Sequence, residues 1–325
     1  MQWFTSVSFG VASFALAAVL GLQAAPARAA EGSFERTLQV NGTVNLDITT
    51  GSGGIQIRPG AGNQVRVKGY IKSTDWFGNN EERVHRIEAN PPIQQSGNDI
   101  RIGHMDIDLM HNISISYELE VPPDTQLRSH TGSGNQAISG LRGSTEVTSG
   151  SGGLKISDIG NRVRAETGSG DIEIDRVQGT VRARAGSGSI RASSVAGGFD
   201  AETGSGHIRL EQSGAGSVRA DTGSGGMELR GVKGSLEARA GSGGIEAEGE
   251  PAGPWTLRTG SGTVRVRLPS SAAFDLDART SSGSLVVDHP VTVQGSLGKK
   301  HIQGKVRGGG VPVDVETGSG NIEIQ

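Results

Sequence analysis

The tripeptide Gly-Ser-Gly begins at ten positions: Gly51, Gly132, Gly150, Gly168, Gly186, Gly204, Gly223, Gly241, Gly260 and Gly318. From Gly132 to Gly260 the steps are 18, 18, 18, 18, 19, 18 and 19 residues. A fixed period of this length means a solenoid, in which each repeat is one coil and covers its inner face only with its neighbours. The period also decides how the composition is read. Glycine supplies 53 of 325 residues and aromatics only 4%, which in an aperiodic chain would point to disorder. Here the glycines are turn residues at regular intervals. A degenerate copy follows at Ser281-Ser282-Gly283, and the 37 residues from Ser281 to Gly318 predict a further coil starting near Gly298.

Counting from the first Gly of each copy, plus four and plus six read Ile172 and Ile174, Ile190 and Ala192, Ile208 and Leu210, then Met227 and Leu229. Minus five and minus three read Val163 and Ala165, Val181 and Ala183, Phe199 and Ala201, then Val218 and Ala220. Both are period-two alternations, so each coil holds two short strands with one buried face apiece. The predicted fold is all-β: a single-stranded parallel β-solenoid of flattened coils of about 18 residues, two short strands per coil, with an irregular β-rich N-terminal cap. Large aliphatics facing a column of alanine allow the two sheets to lie close. Glycine is expected at the Gly-Ser-Gly turn because it takes positive φ without Cβ strain. Thr or Ala at minus one, such as Thr167 and Ala185, is small enough to tuck inside the bend.

The chain divides into three parts. Residues 1–29 read as a signal peptide, with an apolar run from Val7 to Leu22 and a small-x-small cleavage site at Ala27-Arg28-Ala29. The segment Met1-Gln2-Trp3 carries no Lys or Arg, which leaves an uncleaved anchor as the alternative. Residues 30–130 form the irregular N-terminal β region and cap, with one coil of the repeat type from Val44 to Ile57, a strand from Gln64 to Ile71 and a short helix from Asn80 to Ile87. Residues 131–325 are the repeat solenoid. The last residues, Asn321 to Gln325, end inside a strand, which invites end-to-end self-association through an open edge.

The repeats Thr-Gly-Ser-Gly-x-Ile-x-Ile, the segment Ser114-Ile115-Ser116-Tyr117-Glu118-Leu119-Glu120-Val121-Pro122 and the ending Val313-Asp314-Val315-Glu316-Thr317-Gly318-Ser319-Gly320-Asn321-Ile322-Glu323-Ile324 carry a resemblance. Together they resemble a family of bacterial exported proteins proposed to be adhesins, classed as a domain of unknown function. The resemblance implies a β-solenoid in the cell envelope and offers no catalytic residue to carry over.

The residues themselves point the same way. The net charge of −3 from 31 basic and 34 acidic residues lacks the basic excess of a nucleic-acid binder. There is no cysteine, hence no disulfide, thiolate metal site or cysteine nucleophile. Each Gly-Ser-Gly opens a strand rather than a helix, so it does not cradle phosphate. Asp171 in Gly168-Ser169-Gly170-Asp171 suggests a calcium roll, but the equivalent positions are Gly153, Ser189, His207 and Gly226, which would break a carboxylate ladder. His104-Met105-Asp106-Ile107-Asp108-Leu109-Met110-His111 holds metal-ligand types, yet it equally reads as an alternating strand or loop. Asp171, Glu173 and Asp175 share an outward face, as surface carboxylates commonly do. The basic residues Lys299, Lys300, Lys305 and Arg307 read as a solvated loop.

One outward column stands apart. At minus two the coils read Glu166, Arg184, Glu202, Asp221, Arg239, Arg258 and Arg279, so Arg239, Arg258 and Arg279 would stack like charges at strand spacing. They are the candidate anion- or glycan-binding residues. The plainer account is that Glu237 and Asp277, two residues away on the same face, neutralise them. The sequence thus predicts a non-enzymatic, exported structural or interaction protein of adhesin type, periplasmic or at the cell surface, with no cofactor. Its partner would be an envelope protein or glycan, with no nucleic acid and no transmembrane segment after signal cleavage. A polysaccharide-binding or polysaccharide-cleaving β-helix is the alternative.

Overall fold

The computed structural model describes residues 30–73, 80–104, 112–293 and 298–325. Residues 1–29, the expected signal peptide, and residues 105–111 of the His104 to His111 stretch lie outside the described residues.

Each central coil is two strands joined by the Gly-Ser-Gly turn, as in Val163–Thr167 and Ile172–Val177. Val163, Ala165 and Thr167 face inward and Arg164 outward; Ile172, Ile174 and Val177 face inward and Glu173 outward. The next coil stacks on this one in parallel register, Val163 beside Val181 and Ile172 beside Ile190. Because equivalent strands stack on one another, the described residues form two sheets. One, of 14 strands, carries the plus-four aliphatics (the Ile sheet); the other, of 15, carries the alanines (the Ala sheet). Ala165, Ala183, Ala201, Ala220 and Ala238 are fully buried between them.

The turn glycines are needed for a reason other than the expected one. From Gly132 to Gly225 none of them has left-handed φ. What excludes a side chain is the coil beneath: a Cβ on Gly168 would lie 2.3 Å from the Gly150 carbonyl oxygen, and one on Gly170 2.1 Å from that of Gly152. Thr167 also does more than fit. Its hydroxyl donates to the Gly152 carbonyl at 3.0 Å and accepts the Gly170 N–H at 3.1 Å, and Thr203 repeats the pair at 2.8 and 3.2 Å. A buried hydroxyl thus satisfies both turns it touches. The left-handed residue sits instead at the far bend, at Asp158 (φ 58°), Arg176 (52°) and Ser194 (55°). There it turns Ile159, Val177 and Val195 into the core.

At the N-terminal end, Val44–Thr50 and Ile55–Pro59 form a coil of the repeat type, paired in parallel with Thr125–Thr131 and Gln136–Ser139. The chain between them folds over that end. Glu31–Gln39, Gln64–Ser73 and Ile113–Val121 extend the Ile sheet with antiparallel contacts between neighbours, while the hairpin Ile93–Ser96 and Asp99–Ile102 extends the Ala sheet. Helix Asn80–Ala89 covers the first strand, burying Val84 and Ile87 and accepting the Ser33 N–H on Glu88. Its amphipathic face is what marks it as a covering helix rather than another coil.

The C-terminal end differs from the sequence expectation twice. Among the described residues no coil of the repeat type starts near Gly298; His301–Val306 instead runs antiparallel along Phe274–Ser282. Nor does the last coil stack last. Val311–Ser319 lies between Trp255–Ser261 and Phe274–Ser282, and Ile322–Ile324 between Val264–Arg267 and Leu285–Val287, parallel to both neighbours. The final strand is therefore paired on both sides rather than an open edge. The Ile sheet ends on Leu285–Val287, where Val286 is 49% exposed.

Candidate functional site

A solenoid of this thickness keeps its chemistry on its outer faces, since the interior is filled by the columns of Ile, Leu, Val and Ala. Each outward column is a ladder at about 4.8 Å per strand, so the charges of successive coils meet directly. On the Ile sheet Lys155 reaches Glu173 at 3.2 Å, Arg209 reaches Glu228 at 2.6 Å and Arg265 reaches Glu323 at 2.8 Å. On the Ala sheet Arg182 reaches Asp200 at 3.5 Å and Arg184 reaches Glu202 at 3.4 Å, while Arg164 pairs within its own strand with Glu166 at 2.8 Å. At the far bend Arg176 clasps Asp158 through two bonds, 2.6 and 2.8 Å, which holds the Asp158 carboxyl below the usual carboxylate range. Arg142 does the same to Asp124, at 2.7 and 2.6 Å.

The three arginines of the minus-two column are only partly brought together. Arg239 and Arg258 are direct neighbours. Arg258 and Arg279 are not, because the inserted C-terminal coil places Glu316 between them. Each arginine also faces a carboxylate: Arg239 pairs with Glu237, Arg258 with Glu316 at 3.5 Å, and Arg279 with Asp277 through two bonds of 2.9 and 2.6 Å.

The carboxylates of the Gly168 coil are occupied in the same manner. Asp171 accepts the Ser189 N–H at 2.8 Å, Glu173 pairs with Lys155, and Asp175 accepts the Ser193 hydroxyl at 2.6 Å. Position plus three thus serves as a coil-to-coil tie, filled in turn by Asn135, Asp171, Ser189 and His207, each accepting the next N–H. His104 lies 3.4 Å from Asp47. Among the described residues no group of three or more His, Asp or Glu is placed to hold a metal. Of the C-terminal basic cluster, Lys305 pairs with Asp275 at 3.3 Å and Arg307 donates to the Ser270 carbonyl at 2.7 Å, contacts that fasten the hairpin to its neighbours.

Two of the open grooves on the outer face of the Ala sheet run past its charged columns. One, of about 1120 Å³, follows the turn edge past Arg184, Glu202, Asp221 and Arg239. The other, of about 1220 Å³, lies at the N-terminal end and is lined by Arg101, Arg128, Arg162, Arg164 and Arg182 with Asp47, Asp99 and Glu146. The sequence reading of the minus-two column missed this second set. Arg128, Arg164 and Arg182 share the neighbouring minus-four column, where a tabulation would have found them. Arg101 belongs to the hairpin outside the repeat, and only tertiary pairing brings it alongside.

The ladder architecture and the Thr-Gly-Ser-Gly turns agree with a known family. The Toastrack DUF4097 sequence family matches residues 44–325. The chain belongs to that family. The match takes in every Gly-Ser-Gly coil and most of the N-terminal cap. Two solved structures are similar to this Toastrack chain. A proposed cell adhesion protein of Clostridium sporogenes is 13% identical, covering 91% of this chain and 99% of its own, with a TM-score of 0.21. A proposed adhesin of Bacteroides fragilis is 10% identical, covering 90% and 97%, with a TM-score of 0.28. At such scores neither likeness carries an argument. No functionally curated protein matches the chain. Among the described residues no helix is long and apolar enough to cross a membrane.

Proposed function

We propose that this Toastrack chain is an exported, non-enzymatic interaction protein of the cell envelope, acting in the periplasm or at the cell surface. The observation that carries the reading is the use made of its outward charges. Carboxylates that could have served as acid and base, Asp171, Glu173 and Asp175, are each engaged in tying one coil to the next. General acid-base chemistry needs a carboxyl with a perturbed proton affinity facing a substrate position. Of the carboxylates held low here, Asp124 and Asp158 are clamped by arginine at the bends, and Glu88 is held by the Ser33 N–H and His85 on the covering helix. What remains is a rod with long, regular faces, suited to contact rather than to turnover. The leader-like residues 1–29 support export.

Fractionation of cells expressing the full chain with a C-terminal tag tests the reading. The expected result is a mature form shortened by about the leader length, in the periplasm or on the surface. Retention of the full-length chain in the cytoplasm would overturn it. Release of reducing ends from a panel of envelope polysaccharides would overturn the non-enzymatic part.

A further inference from the structure

We propose that the groove at the N-terminal end of the Ala sheet binds an acidic polysaccharide. This rests on the interaction reading above and gives its ligand a chemical class. The groove floor is one outward column running in register across six strands: Arg101, Asp47, Arg128, Glu146, Arg164 and Arg182. At about 4.8 Å per strand the floor is about 24 Å long, and Arg101, Arg128 and Arg164 recur every ~10 Å along it. The hairpin residues Gln94 and Gln95 form part of the lining at one end.

The groove lining carries more arginine than carboxylate in a chain that is negative overall, although Arg164 and Arg182 also pair with Glu166 and Asp200 at its border. Five arginines line it against Asp47, Asp99 and Glu146, while the whole chain carries −3. The three carboxylates are already engaged. Asp47 lies beside His104, Asp99 accepts the Asn45 amide at 2.7 Å, and Glu146 lies between Arg128 at 3.5 Å and Arg164 at 3.8 Å. Arg101 and Arg162 are exposed and have no ion-pair partner among the described residues. They contrast with Arg239, Arg258 and Arg279, each of which has one.

Three features select the ligand. Free guanidinium groups match carboxylate or sulfate bidentately. Arg101, Arg128 and Arg164, of which Arg128 and Arg164 share Glu146, set a guanidinium group at every second strand, a spacing that suits a stiff polymer bearing a charge on every second sugar, not a single small anion. Between the charges stand amides and hydroxyls, including Asn45, Gln126, Ser144 and Thr180, which match the hydroxyls of sugar rings. The lining contains no aromatic side chain, so it offers no platform on which bases of a single-stranded nucleic acid would stack.

The test is retention of the full mature chain on immobilised hyaluronan, with a carboxylate on every second sugar, on κ-carrageenan, with a sulfate on every second sugar, and on neutral dextran. The wild type should be held by at least one acidic matrix, should elute as salt rises and should pass through dextran. Which acidic matrix holds it identifies the anion. Arg101→Ser/Arg162→Ser should weaken retention at least tenfold. Neither side chain holds an ion pair, so the double variant should keep the wild-type melting temperature. Arg101→Lys/Arg162→Lys, which keeps the charge, should recover part of the binding, whereas Arg239→Ser/Arg258→Ser should leave it unchanged. Equal retention on dextran, no retention on either polyanion, or undiminished binding by Arg101→Ser/Arg162→Ser would overturn the proposal. Such a failure leaves the fractionation result standing, so the groove and the envelope reading fail separately.

Discussion

Gly51 and Gly168 occupy the same place in their coils and should respond differently to a single methyl group. The Cβ of an alanine at Gly168 meets the Gly150 carbonyl at 2.3 Å, whereas one at Gly51 meets nothing within 4 Å. Gly168→Ala is therefore expected to destabilise by about 1–3 kcal/mol and Gly51→Ala by less than about 0.5 kcal/mol, as read by thermal or denaturant melts. Equal effects would mean that the turn, not the coil beneath it, demands glycine. A second residue-scale prediction concerns the arginine-clamped Asp124 and Asp158. Arginine holds both carboxyls below their ordinary value, so the folded state binds these protons less readily than the unfolded chain. Their contribution is present above the unfolded value and is lost as pH falls through the folded one. Melting temperature should thus begin to drop below about pH 4, and less steeply in Asp158→Asn. These clamps are exposed, so they contribute little stability near neutrality.

At the scale of the element, the strand pair was legible because alternation is a local property. The columns Val163, Ala165 and Ile172, Ile174 face inward as their period dictates. The alanine column carries a direct consequence. Ala183 is fully buried between two sheets, so Ala183→Phe should overpack the coil and lower stability by at least about 1–3 kcal/mol. A melting temperature equal to wild type would refute close packing of the sheets. The Thr hydroxyl bridge was not legible, since size alone explains Thr beside Ala at minus one. Nor was the clash behind the turn glycines, which exists only once a second coil is stacked. The candidate arginines show the same limit. Their column position was readable, but Glu316, which lies between Arg258 and Arg279, stands 37 residues beyond Arg279 in the sequence.

For the whole molecule, the inserted C-terminal coil is the decisive feature. Phe274–Ser282 has Val311–Ser319 as its parallel neighbour and His301–Val306 as its antiparallel one. Deleting residues 311–325 removes the bridge between this end and the rest of the stack. Hydrogen exchange should then show loss of protection across 274–306, with the coils from 145 to 222 retaining theirs, because repeats feel mainly their nearest neighbours. Unchanged protection in 274–306 would mean that Phe274–Ser282 docks directly on Trp255–Ser261. That alternative would set Arg258 against Arg279, and the insertion avoids it by restoring alternation of charge along the column.

The sequence by itself determined the coil: its length, its two strands, the faces they bury and the turn that joins them. All of these are written in alternation and turn positions that repeat within a few residues, so they can be read locally even though the contacts they make lie in the next coil. The tertiary structure alone decided the order in which coils stack, hence the paired state of the last strand and the meeting of Arg101 with the arginines of the repeat. The physical reason is that coils with the same inward columns are nearly interchangeable as neighbours, so the pattern that specifies each coil does not say which one it covers. That choice falls to long-range contacts: the cap at one end, the hairpin at the other and the sign of the charges between.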